Sequence, residues 1–186
     1  MNIQFILALG IVLIPFFNCY AQSTEDDSLK KGREYAIAKN YDEAMAEVNK
    51  VIRMNPRNSK AFNELGNIEY KKSLFDQAIM DYSKAIEINP NYDEAYYNRA
   101  NVYIDKDNLD QAISDLNKAI DINPHNGDAY FLRGRIEGAK GQGDQAMADL
   151  KAFNKEVKNK VMALMFRFLP VSWSLSLVRT VQKTMK

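Results

Sequence analysis

The chain has 186 residues, 46% hydrophobic and 26% charged, with a net charge of +1 at neutral pH. That balance belongs to globular proteins, excludes a disordered chain, and leaves no nucleic-acid partner expected. With one cysteine, Cys19, and one histidine, His125, no His or Cys metal cluster is available, and any Ser-His-Asp or Cys-His catalytic set would have to be built on His125 alone.

Residues 3–17, IQFILALGIVLIPFF, form an uncharged, almost wholly apolar run that leads into the small-residue exit CYAQ. The pattern predicts a secretory signal peptide over 1–21, cut after Ala21, and an exported product, periplasmic or secreted. The n-region MNIQ carries no Lys or Arg, so the other reading is an uncleaved segment that anchors the protein at a membrane. Cleavage would remove Cys19 and with it any disulfide, thiol nucleophile or thiolate ligand.

From residue 25 the chain repeats itself every 34 residues. KVIRMNPR at Lys50, KAIEINPN at Lys84 and KAIDINPH at Lys118 are three copies of one phrase at that interval. The period divides the chain into units 25–58, 59–92, 93–126 and 127–160, the last degenerate, and it is the period of helix-turn-helix solenoids. Small residues recur at the eighth unit position (Gly32, Gly66, Ala100, Gly134) and the twentieth (Ala44, Ala78, Ala112, Ala146), where two helices can approach closely. Val48, Tyr82, Leu116 and Leu150 fill the twenty-fourth, and Pro56, Pro90 and Pro124 stop each second helix. Asp42, Asp76, Asp110 and Asp144 fall where each second helix begins, a placement favoured by capping and by the helix dipole.

On these residues the chain resembles the tetratricopeptide repeat (TPR) family. The match is clearest in unit 2, with FNELGNIEY followed by DQAIMDYSKAIEINP. Glu69 and Glu137 depart from it by standing where the pattern has Tyr, and Ser28, Lys31, Gly143 and Lys158 depart from it in the terminal units. The resemblance implies an all-α, right-handed α-solenoid of four helix-turn-helix units with a C-terminal helical extension. It also implies a non-enzymatic scaffold without cofactor or metal, whose concave groove binds a protein or peptide partner.

On a 100° wheel, positions 4, 7, 8 and 11 of each first helix pack, and positions 2, 5, 9 and 13 point the other way. The resemblance makes that second face the groove. Its candidate residues are Arg33, Asn63, Asn67, Tyr70, Tyr97, Asn98, Asn101, Phe131 and Arg135. An Asn amide donates and accepts at once, so the row either holds the backbone of an extended peptide, with Tyr97 and Phe131 as apolar anchors, or follows from a chain with 18 asparagines. The cationic clamp by which some TPR proteins hold the C-terminal carboxylate of heat-shock chaperones is not reproduced: Asn63, Asp128 and Leu132 stand where its cations would be. GAKGQGD at Gly138 has no strand before it and no Lys-Ser or Lys-Thr after it, and falls at the turn between the helices of unit 4. His125 lies in an inter-unit turn and receives no role.

Residues 151–186 hold eight Lys and Arg and one acid. The second helix of unit 4 is predicted to run on to about Leu169 and to stop at Pro170. Beyond it, VSWSLSLVRTVQKTMK sets Trp173 and Leu177 on an apolar side and Arg179 and Lys183 on a basic one. The extension 161–186 has three readings: a cap on the last unit, a homodimer contact, or a helix at an anionic membrane surface. The last would make the protein a membrane-docked assembly factor.

Overall fold

The computed structural model describes residues 24–168. The predicted signal or anchor segment, and Trp173, Leu177, Arg179 and Lys183 of the tail, lie outside the described residues. Those described form helices and no strand: α1 (24–37), α2 (Tyr41–Met54), α3 (Ser59–Lys71), α4 (Phe75–Ile88), α5 (Asp93–Asp105), α6 (Leu109–Ile122), α7 (Gly127–Ala139) and α8 (Gly143–Phe168). They pair as four hairpins in an all-α solenoid architecture. The chain divides into two compact units with the break after Asp115, inside α6. In the first unit α2 packs on α3, α3 on α4 and α4 on α5; in the second α7 packs on α8.

The small residues lie at the helix contacts. Ala44, Ala78 and Ala112 are wholly buried, and a Cβ added to Gly32 would meet Val48 Cγ2 at 2.9 Å, one added to Gly66 the Tyr82 ring at 2.8 Å. Val48, Tyr82 and Leu116 complete the core, with at most 1% of their surface exposed. The small residues let the helix backbones approach closely, and the larger buried side chains fill the space around each crossing.

Both kinds of turn repeat. Between the helices of each hairpin one residue takes a left-handed conformation: Lys39 (φ 63°), Ser73 (60°), Asp107 (59°) and Gly141 (78°). It lets the next amide reach back to the last turn, with Asn40 donating to the Tyr35 carbonyl at 2.9 Å, Leu74 to Glu69 at 2.9 Å, Asn108 to Tyr103 at 2.8 Å and Gln142 to Glu137 at 2.8 Å. The glycine loop GAKGQGD is therefore the fourth copy of a turn. Between hairpins the Asn of each Asn-Pro pair accepts from the amide two residues on: Asn55 from Arg57 at 3.2 Å, Asn89 from Asn91 at 3.1 Å and Asn123 from His125 at 3.1 Å. Asn58 and Asn126 cap α3 and α7 by accepting from Ala61 and Ala129, each at 3.1 Å. Much of the asparagine in this sequence is turn and cap chemistry.

Asp42 and Asp76 lie in the first turns of α2 and α4 but are not caps. Asp42 accepts from Lys72 Nζ at 2.8 Å and Asp76 pairs with Lys106, so each joins its hairpin to the end of the next first helix. The Lys72 ammonium holds the Asp42 carboxyl below its usual range. α8 is 26 residues long and continues past the repeat to Phe168, leaving Val157 and Val161 exposed.

Candidate functional site

The first helices of the first unit, α1, α3 and α5, line a recess of about 290 Å³. Arg33 and Ile37 come from α1, Glu64, Asn67, Tyr70 and Lys71 from α3, and Glu94 from α5. Arg33 Nη1 donates to Glu64 Oε1 at 2.7 Å across the mouth. The Tyr70 hydroxyl donates to Asp105 Oδ2 at 2.6 Å, and burial followed by that carboxylate pushes its pKa up to about 12. Ile37 is 77% exposed, an apolar side chain at the rim.

The seven candidate residues of this unit divide into four kinds. Arg33, Asn67 and Tyr70 line the recess. Asn67 Oδ1 accepts from the buried Tyr82 hydroxyl at 2.8 Å, which fixes the amide plane and leaves Nδ2 without a partner among the described residues. Asn98 and Asn101 are engaged internally: Asn98 Nδ2 donates to Asn63 Oδ1 at 3.1 Å, and Asn101 Nδ2 to the Tyr97 carbonyl of its own helix at 3.0 Å. Asn63 requires a correction, since it is wholly buried and donates toward Glu94 Oε1 at 3.4 Å. Position 5 turns away from the hairpin's own second helix, as the wheel requires, but the first helix of the next hairpin covers it; Leu29, one unit earlier, is buried at the same position. Asn63 thus orders Asn98 and Glu94 and offers nothing to a ligand. Tyr97 is half-buried.

In the second unit Phe131 is 37% exposed, with its ring 5.1 Å from that of Phe153, and the Arg135 guanidinium stands 5.7 Å from the Phe131 ring. These two make a local cation-π pair on α7. His125 Nδ1 lies 3.2 Å from Glu156 Oε2.

Sequence reasoning missed Ile37, Glu64, Lys71 and Glu94 among the lining residues. Ile37 and Lys71 sit at unit position 13 and Glu94 at position 2, on the outward face of the wheel, and an aliphatic there was the available signal; Glu64 stands at the flanking position 6. The arrangement offers one oriented amide donor, two carboxylates, two cations and a small apolar floor of Ala36 and Ile68. Among the described residues no three His, Cys, Asp or Glu side chains gather to hold a metal ion, and no helix is long and apolar enough to cross a membrane.

Known proteins resemble the chain in both sequence and fold. Profiles described as tetratricopeptide repeat match residues 29–58 and 93–126, and one described as TPR repeat matches residues 66–107. A crystal structure of MamA is similar at TM-score 0.67 and 26% identity, over 74% of this chain and 81% of that one. MamA from Desulfovibrio magneticus RS-1 (residue 41 to the end) is similar at 0.63 and 18% identity, over 73% and 76%. The first TPR of Spaghetti, bound in its structure to the HSP90 peptide SRMEEVD, is similar at 0.60 and 23% identity, over 64% and 94%. These last two likenesses concern the fold. No curated protein matches.

Proposed function

This chain belongs to the tetratricopeptide repeat family, and from that premise we propose that it is a protein-interaction scaffold that holds an extended segment of a partner along the face of α1, α3 and α5. The observation that carries this reading is the recess, where the Asn67 amide, oriented by Tyr82, is placed to donate to a backbone carbonyl beside the exposed Ile37. A backbone held by an amide and a side chain resting on an aliphatic rim is how an extended peptide is bound with little sequence demand.

The test uses photoreactive residues placed singly at Ile37 and at Met80, which is 70% exposed on a second helix. Cross-linking of the full chain in native extract should capture a protein from Ile37 and not from Met80. Equal capture from both, or capture from Met80 alone, removes the face from consideration. The apolar run at 3–17 and the exit ending at Ala21 support an exported scaffold, checked by cell fractionation and by N-terminal sequencing of the product.

A second reading is favoured by one observation, the continuation of α8 with exposed Val157 and Val161 into residues 161–186, which hold four basic residues and no acid. Here the protein docks at an anionic membrane, or on a second copy, through 161–186. Flotation with anionic vesicles that survives deletion of 161–186 would end the membrane version, and sedimentation of the same truncation tests self-association.

A further inference from the structure

Unit positions 7 and 23 face each other across a hairpin. In the third pair Arg99 grips Asp115 with two hydrogen bonds, Nε to Oδ2 at 2.7 Å and Nη2 to Oδ1 at 2.8 Å. In the fourth, Arg133 grips Asp149 likewise, both at 2.7 Å. In the second pair position 7 is Leu65, part of the apolar core, so Asp81 at position 23 has no guanidinium. Its neighbour is Glu69, one turn further along α3 and only 7% exposed.

The Glu69 Oε2 atom is buried with no hydrogen-bond partner among the described residues. Ionising both carboxylates is costly here: Glu69 would forfeit its hydration, the half-buried Asp81 part of its own, and the two charges would repel. One proton resolves both costs, because a protonated Glu69 donates to Asp81 and its orphan oxygen becomes half of a hydrogen bond. The one cation that bears on Glu69 is too weak to replace the proton. Lys72, at the end of α3, pulls the Glu69 carboxyl down less than burial and Asp81 push it up, and its ammonium is bonded to Asp42 of α2. Arg99 of α5 reaches α4 through the Ser83 hydroxyl at 2.8 Å but is committed to Asp115. Glu64 and Glu94 bear on Tyr82 and add only negative charge.

We propose that the α3/α4 hairpin is held by a proton: Glu69 and Asp81 share one at neutral pH, and its loss under alkaline conditions loosens α4 from α3, releasing the Tyr82 to Asn67 bond that orders the recess. Burial, then the Asp81 charge, push Glu69 up to about 8, and burial raises Asp81 as well. The sign follows. A carboxyl whose folded pKa exceeds its unfolded value binds more protons when folded, so its contribution is complete below about 4.5 and is lost as pH rises through about 8.

The experiment is a carboxyl ¹³C NMR titration of the full chain, joined to amide hydrogen exchange of α3 and α4 between pH 6 and 9, corrected for intrinsic exchange. One glutamate should titrate near pH 8 and vanish in Glu69→Gln. Protection of α3 and α4 should fall by up to about tenfold per pH unit in the wild type from pH 6 to about 8 and level off above it. It should stay flat in Glu69→Gln and in Leu65→Arg, which restores the partner found in the third and fourth hairpins. If every glutamate of the wild type titrates in the ordinary carboxylate range, or if Glu69→Gln loses protection with pH as steeply as the wild type, the proposal is wrong. The wild-type titration can overturn the proposal by itself, so a misfolded substitution does not blunt the test.

Discussion

In α3/α4 the glycine of the first helix lies beneath a tyrosine ring, whereas in α7/α8 the equivalent Gly134 lies against the Asp149 Cβ and the Ala146 carbonyl. The first hairpin spends its polar groups on a hydroxyl-to-amide bond and a pair of carboxyls. The second spends them on a guanidinium that serves Asp149, approaches Glu137 at 3.9 Å and reaches Asn117 Oδ1 at 2.5 Å. Both keep the same turn, the same alanine at the crossing and the same helix lengths up to the extension of α8. The repeat thus specifies backbone approach, and each hairpin settles its buried charges separately.

The largest test of that comparison is Arg133→Leu, which gives α7/α8 the position-7 side chain of α3/α4. It strands Asp149 and Glu137, both buried, Glu137 already with one oxygen unpartnered. Removing one partner of a buried ion pair costs about 3 kcal/mol. Burial and Asp149 already raise the Glu137 pKa against the pull of Arg133, so losing the guanidinium should raise it further. The loss should therefore be full near pH 8 and smaller near pH 5, where a proton can replace the cation. Urea midpoints at the two pH values check this, and an equal loss at both would show that the hairpins do not share the same fallback.

The fold was legible because its determinants are periodic. Gly66 (as Gly or Ala), Ala78 and Pro90 each recur at 34 residues, and steric demands on close-packed backbones leave few alternatives at such positions. The candidate site was less legible. A wheel gives the direction of a side chain and not the depth at which a neighbouring element covers it, which is why Asn63 read as groove and is core. Nor does it reveal bonds between residues 15 or 16 apart, such as Tyr82 to Asn67 or Arg99 to Asp115. The period did contain the second of these, since Arg at position 7 meets Asp at position 23 twice.

A second test compares the two glycines. Gly66→Ala places a Cβ 2.8 Å from a tyrosine that is buried and tied by its hydroxyl, so either the ring or α4 must move. Overpacking of this kind costs about 1–3 kcal/mol, against a gain of about 1 kcal/mol from helix propensity. A net loss near 1 kcal/mol is expected by denaturant unfolding, with the Tyr82 environment altered in near-ultraviolet circular dichroism. Gly134→Ala should be milder because its closest contact is 3.0 Å. A larger loss at Gly134 than at Gly66 would mean that the backbone carbonyl of Ala146, and not the tyrosine, is the stiffer obstacle.

The smallest effect lies in the turns, where the comparison is cleanest. Ser73 and Gly141 occupy the same unit position with φ of 60° and 78°, and a side chain added at Gly141 would meet nothing within 4 Å. Only backbone conformation then separates the two. A left-handed conformation costs an L-residue about 1–2 kcal/mol relative to glycine, while glycine forfeits about 0.4–1 kcal/mol because its unfolded chain is freer. Ser73→Gly should therefore stabilise α3/α4 by roughly 0.5 kcal/mol, and Gly141→Ser should destabilise α7/α8 by a similar amount. The doubly exchanged chain should return to the wild-type midpoint. If Ser73→Gly is instead destabilising, the serine side chain contributes to its turn beyond tolerating it, and the two turns are equivalent in shape but not in energy.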